Sequence, residues 1–301
     1  MPRLIDPGEG APLGLDELVE ALAAADFDSR DEDSFAALGP LLARLGRNPD
    51  FLAELAIEEL KGRCEGQHRG NGYGAQVFLL RPPDGRTVLR ANFWPAQDDS
   101  LVRASGPAAF YYDLPHDHNF PFLTWGYLGP GYWSDYFEYD VEALAGLPGE
   151  DAGLRFVERS RLDPGKLMLY RVRRDIHVQL PPDSFSVSLN ILGADPTQPW
   201  LEQYRFDIGR GVIAEGLTCT GAEALLAVAV HIANGADLAA AFVRAHPVRA
   251  DARDGTRCAR LGAARRGGGD LRKSCRRAEP LCRRPCPGPA GDASCSVTER
   301  F

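Results

Sequence analysis

The chain has 301 residues, 44% hydrophobic and 25% charged, with a formal net charge of −8. That length and balance can bury a sizeable core, while the acidic balance argues against general nucleic-acid binding, which needs a basic face to displace counterions from phosphates. The opening MPRLIDPGEGAPLG has no signal-like apolar run, and no stretch of roughly 18 uncharged apolar residues occurs, so a cytoplasmic protein with no membrane partner is expected.

Residues 1–70 read as a helical segment. Leu15, Leu18, Val19, Leu22 and Ala23 share one face at helical spacing, as do Leu41, Leu42 and Leu45. A further helix opens at Asn48-Pro49-Asp50, a capping residue followed by proline, and runs through Phe51, Leu55 and Ile57. Gly70, Gly72 and Gly74 then break the pattern.

From 71 to 212 the period changes. AQVFLL, TVLRANFW, FPFLTWGYL, SDYFEYD, KLMLYRV and FSVSLNIL are short runs rich in Val, Phe, Tyr and Leu, separated by turn residues such as Pro82-Pro83-Asp84-Gly85 and Gly129-Pro130-Gly131. Strands at this spacing predict a mainly β protein with flanking helices, its strands forming one antiparallel barrel or sandwich. Residues 213–246 return to helix in EALLAVAVHIA and ADLAAAFVRA, and these are predicted to pack outside the barrel.

The tail, 247–301, is different in kind. It holds 13 Arg/Lys against 6 Asp/Glu, leaving −15 on the first 246 residues, and five of the seven cysteines. With only six Val, Leu or Phe side chains it has little with which to offset the entropy of ordering, so it is expected to be disordered. Zinc on these cysteines and an altered reading frame after residue 246 are the alternatives; no CxxC pair or local histidine completes a four-ligand site.

The chemistry concentrates in the strand region. His116 and His118 stand at i and i+2, a spacing that sends both imidazoles to one face of a strand. His177 follows 59 residues after His118, beside a strand-like run. Three neutral imidazoles suit Fe, Zn, Cu or Ni and leave coordination positions open. His68, His231 and His246 read as ordinary loop or helix residues. Glu138 lies on a strand pairing back towards His118 and is a candidate fourth ligand. Of the aromatic side chains crowding the same hairpin, most read as wall or core, and Trp125 and Tyr127 are candidates to line a substrate pocket.

The segments Pro115-His116-Asp117-His118-Asn119 and Asp175-Ile176-His177-Val178-Gln179, with Ser186-Val187-Ser188-Leu189-Asn190, together resemble cysteine dioxygenase and its thiol-dioxygenase relatives in the cupin superfamily. The resemblance covers residues of about 70–200 and implies a single cupin-type jelly-roll barrel with ferrous iron on His116, His118 and His177. It also implies a small-molecule substrate and dioxygen as reaction partners. Arg90 falls where that family places an arginine that clamps the substrate carboxylate, a task suited to a planar donor fork, and Ser188 matches the serine of the family's Ser-x-His-x-Tyr stretch. Here Asn190 and Leu192 replace that histidine and tyrosine, and Phe122, Leu123 and Thr124 occupy the stretch of its crosslinking cysteine.

The expectation is therefore an iron-dependent oxygenase of a small carboxylate-bearing substrate other than free cysteine, with Ser188 and Asn190 as candidate catalytic residues. A small-molecule-binding metal cupin without catalysis, or a zinc- or nickel-dependent isomerase or hydrolase, is the alternative. The sequence sets no oligomeric state.

Overall fold

The computed structural model describes residues 1–198, 201–218 and 221–232. The predicted tail and the second C-terminal helical run lie outside the described residues. The chain divides into two compact units, and every strand and all but the last helix belong to the first, residues 1–198 and 203–217.

The helical segment comprises α1 (Leu15–Ala24), α2 (Glu32–Ala36), α3 (Gly39–Gly46), α4 (Phe51–Lys61) and α5 (Glu65–Gly70). Asp31 caps α2 by accepting from the Ser34 amide at 2.7 Å. At α4 the Asn48 side chain accepts from the amides of Asp50 (3.2 Å) and Phe51 (3.3 Å).

Each of the six apolar runs forms a strand. Preceded by the short β1 (Arg3–Leu4), they are β2 (Val77–Leu79), β3 (Thr87–Trp94), β4 (Phe122–Leu128), β5 (Trp133–Glu138), β7 (Leu167–Tyr170) and β9 (Ser186–Gly193). A short helix, α6 (Ser100–Ser105), follows β3. Added to these are β6 (Arg155–Arg161), β8 (Asp175–Leu180), β10 (Tyr204–Asp207) and β11 (Val212–Gly216), so strand continues past residue 212, and α7 (Gly221–Ile232) follows.

All the strand pairs are antiparallel, in a six-stranded sheet of order β1-β7-β4-β9-β3-β2, a three-stranded sheet β6-β5-β8 and the hairpin β10-β11. The sheets do not close into the single barrel that the strand pattern predicts. Two causes are visible. The outer strands β1 and β2 have two and three residues, too few to carry a ladder around a corner. The His-x-His segment, predicted as a strand, makes only one-residue bridges, His116 to His177 and His116 to Arg205; on the Arg205 side Pro115 accepts from the Phe206 amide but has no N–H to return.

Alternation along the strands sorts the core into layers. Leu89, Ala91, Leu123, Trp125, Leu169, Leu189 and Ile191 leave one face of the large sheet and bury against Leu18, Leu42, Leu45 and Phe51 of the helices. Val88, Trp94, Phe122, Met168, Tyr170 and Leu192 leave the other face and pack with Tyr132 and Tyr136 of the three-stranded side. A third cluster joins Tyr139 and Ile176 to Tyr204, Phe206 and Ile213 of the hairpin. Among the described residues no helix is long and apolar enough to cross a membrane.

Candidate metal centre

His116 and His177 are brought together by their own backbones. The His116 N–H donates to the His177 carbonyl at 3.2 Å and the His177 N–H donates to the His116 carbonyl at 3.0 Å. The i, i+2 spacing then sends His118 to the same side as His116. Asp117, between them, points the opposite way, accepting from the Tyr204 amide (2.6 Å) and the Tyr139 hydroxyl (2.5 Å). Burial raises the Asp117 carboxyl to about 6, although those two donors and Arg173 pull it down.

The three imidazoles converge on one point. Nε2 of His177 lies 3.1 Å from Nε2 of His118 and 3.1 Å from Nε2 of His116, and no other group of metal-capable side chains is found among the described residues. Each ring is at most 4% exposed. Burial is the main force on their protonation: it pushes His116 down to about 4, the Arg90 charge adding to it while the Leu114 carbonyl opposes it. His118 and His177 are driven well below the ordinary value by burial first and neighbouring imidazoles second. All three are neutral near pH 7. His116 donates Nδ1–H to the Leu114 carbonyl at 2.8 Å, which leaves its Nε2 lone pair facing the other two rings.

Neutral imidazoles with converging lone pairs fit a divalent metal. Metal–nitrogen bonds of about 2.1 Å place neighbouring ligand atoms about 3.0–3.4 Å apart, and the two 3.1 Å separations fall in that range. The group is able to hold a metal ion.

The same interior face carries an unusual set of polar atoms. Arg90 on β3 pairs with Asn190 on β9, and Asn190 pairs with Thr124 on β4, so the three stand in one row across the sheet. All are buried, and Nε and Nη1 of Arg90, Nδ2 of Asn190, Oγ1 of Thr124 and Oδ1 of Asn92 have no protein partner. Arg90 lies over the Tyr73 ring at 5.1 Å, and its charge reaches both His116 and His118. Ser188, two residues from Asn190, accepts from the Trp94 indole at 3.0 Å.

Three candidates are placed elsewhere. Trp125 and Tyr127 belong to the helix-facing side: Trp125 packs against Gly46, and the Tyr127 hydroxyl donates to the carbonyls of Asn48 (3.0 Å) and Pro49 (2.9 Å). They are wall, not pocket. Glu138 is not with the histidines. Its carboxylate is taken by Arg171 (2.8 Å), Arg155 (2.5 Å) and the Met1 amino group (2.8 Å), and against the cost of burial the Met1 amino group and Arg171 hold it near 2.

The site contains phenols that sequence reasoning passed over. Tyr170 Oη lies 3.3 Å from His177 Nδ1 and 3.1 Å from Tyr136 Oη. Tyr170 alternates with Leu169 on β7, and that parity was the available signal.

No protein-family profile matches the chain, and no curated protein matches it in sequence. Among solved structures, it is similar to DMSP lyases RdDddP and RnDddQII (TM-score 0.23, 9% identity, 40% of this chain and 44% of that one). It is also similar to DMSP lyase DddQ from Ruegeria pomeroyi DSS-3 (TM-score 0.26, 11% identity, 64% and 78%). A putative mannose-6-phosphate isomerase from Ralstonia eutropha JMP134 gives a TM-score of 0.22 at 10% identity over 40% and 83%. The chain spans under half the length of the first of these, and superpositions this loose define neither a fold nor an activity for it.

Proposed function

We propose that this chain is a cupin-type metalloenzyme, a mononuclear iron-dependent oxygenase of a small carboxylate-bearing substrate. The observation that carries the reading is Arg90, a buried guanidinium with unpartnered Nε and Nη1, on the interior face that also receives the neutral imidazoles. Leaving such donors unsatisfied costs about 1–3 kcal/mol each, more where charge is involved. A carboxylate is the natural charged acceptor for such donors, and because Nε–H and Nη1–H leave different edges of the guanidinium, each takes its own acceptor oxygen.

His116, His118 and His177 would hold the metal. Ferrous iron, when bound, supplies redox chemistry and open coordination positions. The chain's own part is binding and orientation. Arg90 clamps the carboxylate, Asn190 and Thr124 offer hydrogen bonds along the same row, and Phe120, Phe122 and Tyr170 around His118 exclude water. Asn190 has no titratable proton near neutrality and Leu192 no phenol; loss of aimed polar groups typically costs about two to three orders of magnitude in rate. Free L-cysteine is therefore turned over poorly.

The test is oxygen uptake by protein purified without a polyhistidine tag and reconstituted with ferrous iron, across small thiol, hydroxy and keto acids. Uptake with one of them, and little with L-cysteine, is expected. Full iron loading with no uptake for any acid would leave a binding protein, and turnover without oxygen would indicate a zinc- or nickel-type isomerase or hydrolase. Either result overturns the oxygenase reading.

A further inference from the structure

We infer that the protein has a second ligand site, for a small anion bearing a carboxylate or phosphate group, in the cleft lined by Arg155, Arg173, Arg174, Glu138 and Tyr139. The cleft is about 560 Å³, within the range of small-molecule pockets. It lies behind the His116–Asp117–His118 segment: the Arg173 N–H donates to the His118 carbonyl at 2.8 Å, and Tyr139 in its wall donates to Asp117.

Three arginines, Arg155, Arg173 and Arg174, face two acids, Glu138 and Asp140, across the cleft, and the Asp117 carboxylate behind it feels the charge of Arg173 without pairing with it. Glu138 already serves Arg171, Arg155 and the Met1 amino group, and it stands 3.9 Å from Arg174, beyond hydrogen-bond range. Asp140, the other acid of the wall, accepts from the Glu142 amide at 3.0 Å. Arg173 has no carboxylate within 4.0 Å among the described residues. It is 9% exposed, its Nε has no partner, and its guanidinium lies over the Tyr204 ring at 5.8 Å.

A buried guanidinium with a free donor is costly to keep. This one is also held on a left-handed backbone, φ +51°, which a long side chain adopts only when its surroundings enforce it. An anion entering between Arg173 and Arg174 satisfies both forks, whose planar geometry matches carboxylate and phosphate oxygens. The site needs no metal and uses none of the three histidines.

The experiment is calorimetric titration of the metal-loaded Arg90→Gln protein, which lacks the proposed carboxylate clamp, with inorganic phosphate and, separately, with glutarate, a dicarboxylate that binds metal ions weakly. Saturable binding of at least one probe at one site per chain is expected; which probe binds names the source of the anion. Arg173→Asn, which keeps the left-handed backbone while removing the guanidinium, should weaken binding at least tenfold. Glu138→Gln, which removes the competing carboxylate, should tighten it severalfold. Arg174→Gln, at a half-exposed position that tolerates change, should weaken it severalfold and carries the test if Arg173→Asn does not fold. Binding should survive in His177→Ala. No saturable binding of either probe, unchanged affinity in the folded arginine variants, or loss in His177→Ala, which would put the anion at the metal centre, overturns the inference.

Discussion

An imidazole kept from water sheds its proton but keeps its lone pair, and that ordering governs His116, His118 and His177. Neutral when buried, they offer three lone pairs to a metal without first releasing protons near pH 7. Because three ligands leave little redundancy, His116→Ala, His118→Ala or His177→Ala should each lower metal affinity by about 100-fold or more, read as metal content after dialysis. His68→Ala, on the exposed face of α5, should leave it unchanged. Arg90→Gln should keep the metal but weaken binding of a small carboxylate at least tenfold, since the role proposed for the guanidinium is to hold ligand rather than ion; equal affinity in that variant would remove the clamp. The triad was legible because spacing and strand context single out three of only six histidines. Trp125 and Tyr127 were misplaced because every residue from Phe122 to Gly126 is buried. A strand apolar on both faces has no alternation from which to read which side meets the site. The fate of Glu138 was equally hidden, since it depends on Arg171, which the β5–β8 register and the Arg171–Asp175 pair bring to it.

The strand elements are held in position by close backbone approaches at a few glycines. Gly131, at φ +78°, would place a Cβ 1.9 Å from the Leu162 carbonyl oxygen, and the Cβ of Gly126 would come within 2.2 Å of the Asp163 oxygen. The β4–β5 turn thus lies directly on the turn between β6 and β7. Gly131→Ala combines a disfavoured φ with a backbone clash and should cost about 2–4 kcal/mol in chemical denaturation. Gly85→Ala has the same sign of φ, +83°, but open space around it, and should cost only about 1 kcal/mol. Similar losses in the two variants would mean the turn is free to move off its neighbour. Apolar runs disclosed six of the strands, but β6 did not stand out: RFVERSR is an edge strand whose charged side chains lie in water. Barrel closure was not legible either, because it depends on ladder pairing between distant strands, which strand spacing alone does not specify.

At the scale of the whole molecule, the buried titratable groups set a pH dependence with two opposing parts. His116 holds its proton only below about 4 when folded, against 6.5 when exposed, so between those values the unfolded chain binds more protons and stability falls as pH falls. His118 and His177 are shifted in the same direction and add to the loss. Asp117 acts the other way. Raised from 3.8 to about 6, it binds its proton more readily when folded, and its contribution is full below about pH 4 and disappears as pH rises through 6. Between pH 7.5 and 5.5 the unfolded chain takes up a proton at His116, while the folded chain takes up only part of one at Asp117; with two further histidines on the losing side, the net change is a loss. Metal-free protein should therefore unfold at lower urea at pH 5.5 than at pH 7.5. Bound metal adds stability by mass action at the higher pH, but protons compete for its ligands, so the metal-loaded protein should show the steeper fall. The measurement is the urea midpoint at both pH values, with and without metal. A metal-free midpoint that stays level or rises on acidification would mean that the histidines reach water, and the case for a dry three-imidazole centre would go with it.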